Sequence, residues 1–269
     1  MTYIFCLRFI ISACLSGYFS YLISSANNNY YFMFLMIPFI PLMLLLTFLL
    51  FVLYCYIVSL FMRNKEVKYH KYMDYLLKEF DNSLMKLLRI KVVEKGFDKI
   101  KNQNVLYVAN HTSNFDPLIM INAIPYKLSI VSKPENFKIP FIGKMIRACG
   151  YISINRDNPR EGAKAIFKAR DFLKNNDCNV LIFPEGTRNK TKEILLPMHA
   201  GSLKPAFSAK KDVVVCSIKN VSKIHFGLKK TKIIVNVIDV LNPEDYDSDV
   251  FMRDKVEELI KQDLLNNVE

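Results

Sequence analysis

Residues 110–116, Asn-His-Thr-Ser-Asn-Phe-Asp, set a His and an Asp five positions apart in a polar turn. An imidazole takes up a proton near neutral pH. An aspartate folding back onto its second ring nitrogen would set the tautomer and stabilise the imidazolium, giving a base and an orienter without a serine. His111 and Asp116 are therefore candidate catalytic residues. A second stretch, Phe183-Pro184-Glu185-Gly186-Thr187-Arg188, suggests a different task. Gly186 permits close backbone approach or a positive φ, Thr187 supplies a hydroxyl and Arg188 a planar fork. Backbone amides and an arginine after a strand make a cradle for an anion. Arg156 is a further fork suited to phosphate, and Lys133 another cation in the same part of the chain. Taken singly, residues 110–116 read equally well as a polar turn, Arg156 reads first as a solvated charge, and the longer stretch 183–188 is less readily a simple turn.

Strands and helices must hold such residues in place. The apolar run 105–109 reads as a buried strand, and Pro117 opens a helix to Ala123. A strand is expected at 128–132, a helix at 144–149, and a strand at 150–156 that ends by presenting Arg156. A helix over 159–174 precedes the strand 179–183, which delivers the second turn. A short helix to Ala209, strands at 213–218 and 232–240, and a helix at 249–265 complete the chain. Upstream, apolar residues at three- and four-residue steps predict an amphipathic helix over 67–90, and Val92-Val93 suggests a short strand. Strands alternating with helices indicate an α/β domain on a mixed, largely parallel sheet. The turns after residues 109 and 183 would then share one sheet edge.

Charge is unevenly distributed. The chain has 269 residues and a formal net charge of +12, yet 54 consecutive positions between Arg8 and Arg63 are uncharged. Residues 3–25 and 31–62 are each long enough for a bilayer crossing, which takes about 20 residues. They are separated by Asn27-Asn28-Asn29. The predicted organisation is an anchor of two hydrophobic helices over 1–62 and a cytosol-facing domain over 63–269. Arg63, Lys65, Lys68 and Lys71 follow the second span, which places that side in the cytoplasm. A hairpin lying in one leaflet is the competing arrangement. The basic balance admits nucleic acid, anionic lipid or an anionic substrate. Nucleic acid is excluded for want of a recognition motif or an aromatic-studded basic stripe, which leaves membrane lipid phosphate. The six cysteines form no C-x-x-C pair, so neither a zinc site nor a disulfide framework is indicated.

In order and spacing, these stretches resemble the glycerolipid acyltransferase family, and within it the 1-acylglycerol-3-phosphate acyltransferases. The family's N-H-x-x-x-x-D motif is matched by Asn110, His111 and Asp116. Its G-x-x-x-x-x-R motif is matched by Gly150 and Arg156, after Ile139-Pro140-Phe141-Ile142-Gly143. Its F-P-E-G-T-R motif is matched by Phe183 through Arg188. The chain departs from the family at His199-Ala200, where a Lys often precedes the glycine, and in the strand from Val213, which lacks the usual proline; Lys204 is a possible substitute for the missing cation.

The resemblance implies transfer of a fatty acyl group from a coenzyme A or carrier-protein thioester to the sn-2 hydroxyl of lysophosphatidate, giving phosphatidate. It implies His111 as general base, Asp116 as its orienter, and Arg156, Glu185, Gly186, Thr187 and Arg188 around the acceptor phosphate. It implies no cofactor and no metal. Acylation of another lysophospholipid or of glycerol 3-phosphate, and a non-catalytic lipid-phosphate binding module, are the alternatives. A thioester hydrolase would need a nucleophilic Ser or Cys turn, which the sequence lacks.

Overall fold

A computed structural model of the chain describes residues 3–61, 71–140, 142–155, 158–175, 178–199, 201–224 and 230–266. Arg156, the cationic stretch 63–68 and the first residues of the helix expected over 67–90 lie outside the described residues. The uncharged N-terminal stretch forms two helices, α1 (Tyr3–Ala26) and α2 (Met36–Phe61). Ser12, Ser16, Ser20 and Ser24 recur every four residues on α1 and are buried. Small side chains at that spacing let two helices approach closely. The Ser12 hydroxyl donates to the Arg8 carbonyl at 2.7 Å and meets Thr47 Oγ1 of α2 at 3.2 Å.

Seven strands follow: β1 (Ile90–Lys95), β2 (Leu106–Ala109), β3 (Leu128–Ser132), β4 (Ile152–Ser153), β5 (Asn179–Ile182), β6 (Val213–Lys219) and β7 (Thr231–Leu241). They form one sheet in the order β1-β7-β6-β2-β5-β3-β4. Every neighbouring pair is parallel except β6 with β7. This is the expected α/β architecture with a largely parallel mixed sheet. The expected strand at 150–156 is shorter than its apolar run: Gly150 turns at φ 80, and only Ile152 and Ser153 pair with β3.

Side chains alternate across each strand and so divide the interior into two layers. Tyr107, Leu181 and Val214 face α3 (Lys71–Leu87), α4 (Asp116–Ala123) and α5 (Ile142–Ala148). Leu106, Val108, Val180 and Val215 face α6 (Pro159–Lys174), α7 (Lys204–Ala209) and α8 (Asp249–Leu265). Burial on both faces is why β2, β5 and β6 read as continuous apolar runs rather than alternating ones. Phe51 and Cys55 of α2 are buried in the same core layer as Met73, Leu76 and Leu77 of α3. The second hydrophobic helix is therefore packed on the α/β body over its C-terminal half, across the boundary that the sequence suggested at residue 62.

Candidate active site

The carboxyl end of β2 is closed by a side chain. Asn110 accepts from the Ile218 N–H at 2.7 Å and donates to the Ile218 carbonyl at 3.1 Å, extending the ladder to β6 by one rung as the backbone leaves the sheet. The chain then turns through His111 to Asp116, the first residue of α4. Asp116 is fully buried. Its Oδ2 accepts from the Thr112 N–H at 2.6 Å and the Ser113 N–H at 2.8 Å, and lies 2.8 Å from His111 Nδ1. An oxygen that already accepts two amide protons has an acceptor to offer the ring, so Nδ1 carries the hydrogen and Nε2 the lone pair. The imidazole also stacks on Phe183, with ring centroids 4.4 Å apart and planes inclined by 22°. Held by a carboxylate and an aromatic face, it keeps 17% of its side-chain surface accessible.

The second turn follows β5. Gly186 adopts φ 71, in the left-handed region that a glycine occupies without penalty, and its N–H closes the turn onto the Phe183 carbonyl at 3.1 Å. Thr187 is exposed and Arg188 half-buried, and among the described residues Arg188 has no ion pair.

Glu185, expected around the acceptor phosphate, is turned into the protein. It is 2% exposed. Its Oε1 accepts from the His111 N–H at 2.5 Å and its Oε2 from the Leu196 N–H at 2.9 Å. Burial pushes its carboxyl above the ordinary range, against the pull of those two amides. With both oxygens engaged by backbone, Glu185 is a brace between turns. A second tie runs from the Asn189 N–H to the His111 carbonyl at 2.7 Å. The backbone of His111 is thus gripped on both sides by the turn that carries Arg188. Only a three-dimensional arrangement discloses this, although an Asn at the end of an apolar run is a sequence cue for a ladder extension such as that of Asn110.

Behind Phe183, Pro184 and Gly186 a cavity of about 400 Å³ opens between α6 and α7. Its walls are largely apolar, and Arg170, His199 and Lys204 are the basic groups lining it. The His199 N–H donates to the Pro184 carbonyl at 2.9 Å, which fixes the departing loop beside the second turn. The two downstream positions left open by the sequence, His199 and Lys204, thus border one cavity. Lys133 is exposed at the end of β3.

Fold and site together define an α/β protein with an imidazole held by a carboxylate beside an arginine-bearing turn, on the edge of a largely parallel sheet. Residues 89–219 match the family model described as Acyltransferase. A 1-acyl-sn-glycerol-3-phosphate acyltransferase of Salmonella typhimurium is 27% identical over 157 residues, which cover 58% of this chain and 62% of the relative. The enzyme of the same name from Borreliella burgdorferi is 29% identical over 171 residues, covering 61% of this chain and 68% of that one. The match thus spans a little under two thirds of the Salmonella protein. The crystal structure of the 1-acyl-sn-glycerophosphate (LPA) acyltransferase of Thermotoga maritima shares the fold, with a TM-score of 0.63 at 24% identity, covering 82% of this chain and 95% of that chain.

Proposed function

We propose that this chain transfers a fatty acyl group from a thioester to the sn-2 hydroxyl of 1-acylglycerol 3-phosphate, producing phosphatidate at a membrane. The observation that carries this reading is the pair of ties from His111 to Glu185 and Asn189. They hold a base and an arginine-bearing turn in one frame, as a reaction on a hydroxyl close to a phosphate requires. The names of the relatives supply the acceptor.

In this reading the hydroxyl gives its proton to His111 Nε2 while its oxygen bonds to the thioester carbonyl carbon. Collapse of the tetrahedral intermediate breaks the C–S bond, and the leaving thiolate takes the proton back from the imidazolium. Asp116 stabilises the transient cation and keeps the ring oriented, and positioned base catalysis of this kind contributes ~10²–10⁴-fold. Arg188, with Arg156, Gly186 and Thr187, receives the acceptor phosphate. The apolar cavity between α6 and α7 takes an acyl chain. Coenzyme A or acyl carrier protein thioester is a co-substrate, and the steps call on no metal or cofactor. The helices α1 and α2 hold the enzyme at the bilayer, on the cytoplasmic side by the charge of residues 63–71.

Arg188→Ala tests the assignment of the two pockets. Its KM for lysophosphatidate should rise by tenfold or more, the loss of ~1.5–3 kcal/mol expected of a charged hydrogen bond, with little change in the KM for thioester. The opposite pattern would show that Arg188 serves the donor. Running the same assay with glycerol 3-phosphate and other lysophospholipids, and with both thioesters, sets acceptor and donor.

A further inference from the structure

The junction between the hydrophobic helices and the α/β body encloses a second cavity, of about 600 Å³. One wall is apolar: Pro41, Leu44, Leu45 and Phe48 of α2. The other is cationic: Arg8 of α1, Lys86 near the end of α3, Arg89 and Lys91 about the start of β1, and Lys230 before β7. Among the described residues, no Asp or Glu lines it. Like charges gathered against an apolar wall repel one another unless an anion lies among them.

Two of these cations occupy unusual positions. Arg8 is the one charge in the first hydrophobic span. It donates to Ser83 Oγ at 3.1 Å and lies 5.1 Å from the Phe48 ring centroid. Its Nε is buried with no hydrogen-bond partner, and among the described residues it has no carboxylate partner. An ionisable group in such a helix marks a functional position by default. Arg89 takes φ 56 immediately after α3, a conformation that usually selects glycine or asparagine.

The place of the cavity in the fold matters as much as its lining. β1 is parallel to β7, and β7 runs antiparallel to β6 and hence to β2. The starts of β1 and β7 therefore share the sheet edge on which β2 and β5 end. Three strand spacings separate β1 from β2, about 14 Å at ~4.8 Å each. The cavity is beside the catalytic turns and distinct from them.

We propose that this cleft binds an anionic phospholipid of the bilayer, with the phosphate among Arg8, Arg89, Lys91 and Lys230 and an acyl chain along Leu44, Leu45 and Phe48. The bound lipid latches the α/β body to the membrane with the catalytic edge facing the acceptor. A lipid fits better than free phosphate because half of the lining is apolar, and Pro41, Leu44, Leu45 and Phe48 within it belong to a helix of membrane-spanning length. The proposal rests on the reading that α1 and α2 lie in the bilayer.

The test uses the full chain in non-ionic detergent, titrated with phosphatidylglycerol, phosphatidylcholine or inorganic phosphate, with adducts counted by native mass spectrometry. The parent chain should retain phosphatidylglycerol in preference to phosphatidylcholine. Arg89→Gly with Lys230→Gln, two changes that the backbone accepts, should weaken that binding by roughly 25-fold, at about fivefold per cation. Lys164→Gln with Lys174→Gln, the same charge loss on the exposed face of α6, should leave it unchanged. An equal loss in both variants would reduce the effect to general surface charge and overturn the site. Inorganic phosphate competing as well as the lipid would overturn the lipid assignment. A chain that stays soluble without detergent would instead refute the membrane reading on which the proposal stands.

Discussion

Three hydrogen bonds meet at Asp116 Oδ2, two from backbone and one from the imidazole, and they explain why the residue types at 110–116 matter more than their number. The backbone pair fixes the carboxylate before the ring arrives, so the His111 tautomer follows from local geometry. Asp116→Asn puts an amide in that place. Where its nitrogen faces Nδ1, the ring shifts its hydrogen to Nε2 and loses the basic lone pair. Turnover should fall by ~10²-fold or more, with the melting temperature lowered by no more than a few degrees. A near-normal rate would remove Asp116 from the base pair. At this scale the sequence was legible as chemistry but not as direction. The types at 183–188 spelled out a cradle, yet Glu185 turns inward and takes two backbone amides, which no spacing rule reveals. The stacking of Phe183 under His111 was equally hidden, because an aromatic at a strand end reads first as core.

Elements were the most legible level, since buried parallel strands and amphipathic helices leave strong periodicities; β4 was overread, its apolar run being spent partly on the turn at Gly150, and the helix expected to residue 90 ends at Leu87, with Ile90 opening β1. Two helices carry tests. On α6, Gly162 lines the cavity, and among the described residues a Cβ there would meet only the Asn155 carbonyl, at 3.8 Å. Gly162→Leu should fill space without backbone strain and add up to ~1 kcal/mol of helix propensity. Competition between long- and short-chain thioesters should show preference moving to shorter chains, with melting temperature unchanged or higher. Unaltered chain preference would mean that the acyl group lies elsewhere. On α3, Asp81 is 1% exposed, and burial pushes its carboxyl well above the usual range, against the pull of the Asn122 amide. A carboxyl whose pKa is raised by folding contributes its stability below the unfolded value and loses it as pH rises through the folded value. Asp81→Asn, which cannot ionise, should therefore stabilise the protein more at pH 8 than at pH 5 in thermal melts. An equal effect at both pH values would show that folding does not raise the Asp81 carboxyl into that pH range.

On the scale of the whole molecule, the chain joins a greasy pair of helices to a basic body and seals the joint with shared packing. Phe51 and Cys55 enter the α3 layer, so one side of α2 is covered there by the α/β body. At the other end of the pair, Tyr30 and Tyr31 are more than three quarters exposed, the amphipathic residues that favour a headgroup region. Composition revealed both spans but not this joint, because core packing and lipid contact select the same residues. In the proposed function, the joint would hold the catalytic edge near a membrane and its lipid acceptor. The central claim is that His111 is the base for acyl transfer to lysophosphatidate. It is tested most directly by measuring phosphatidate formation from labelled thioester with the purified full chain and with His111→Ala in detergent. The parent chain should form phosphatidate, and the variant should lose ~10²–10⁴-fold in rate while keeping its membrane association and melting temperature. A variant that turns over at the parental rate, or a parent chain that makes no phosphatidate from either thioester, would contradict it.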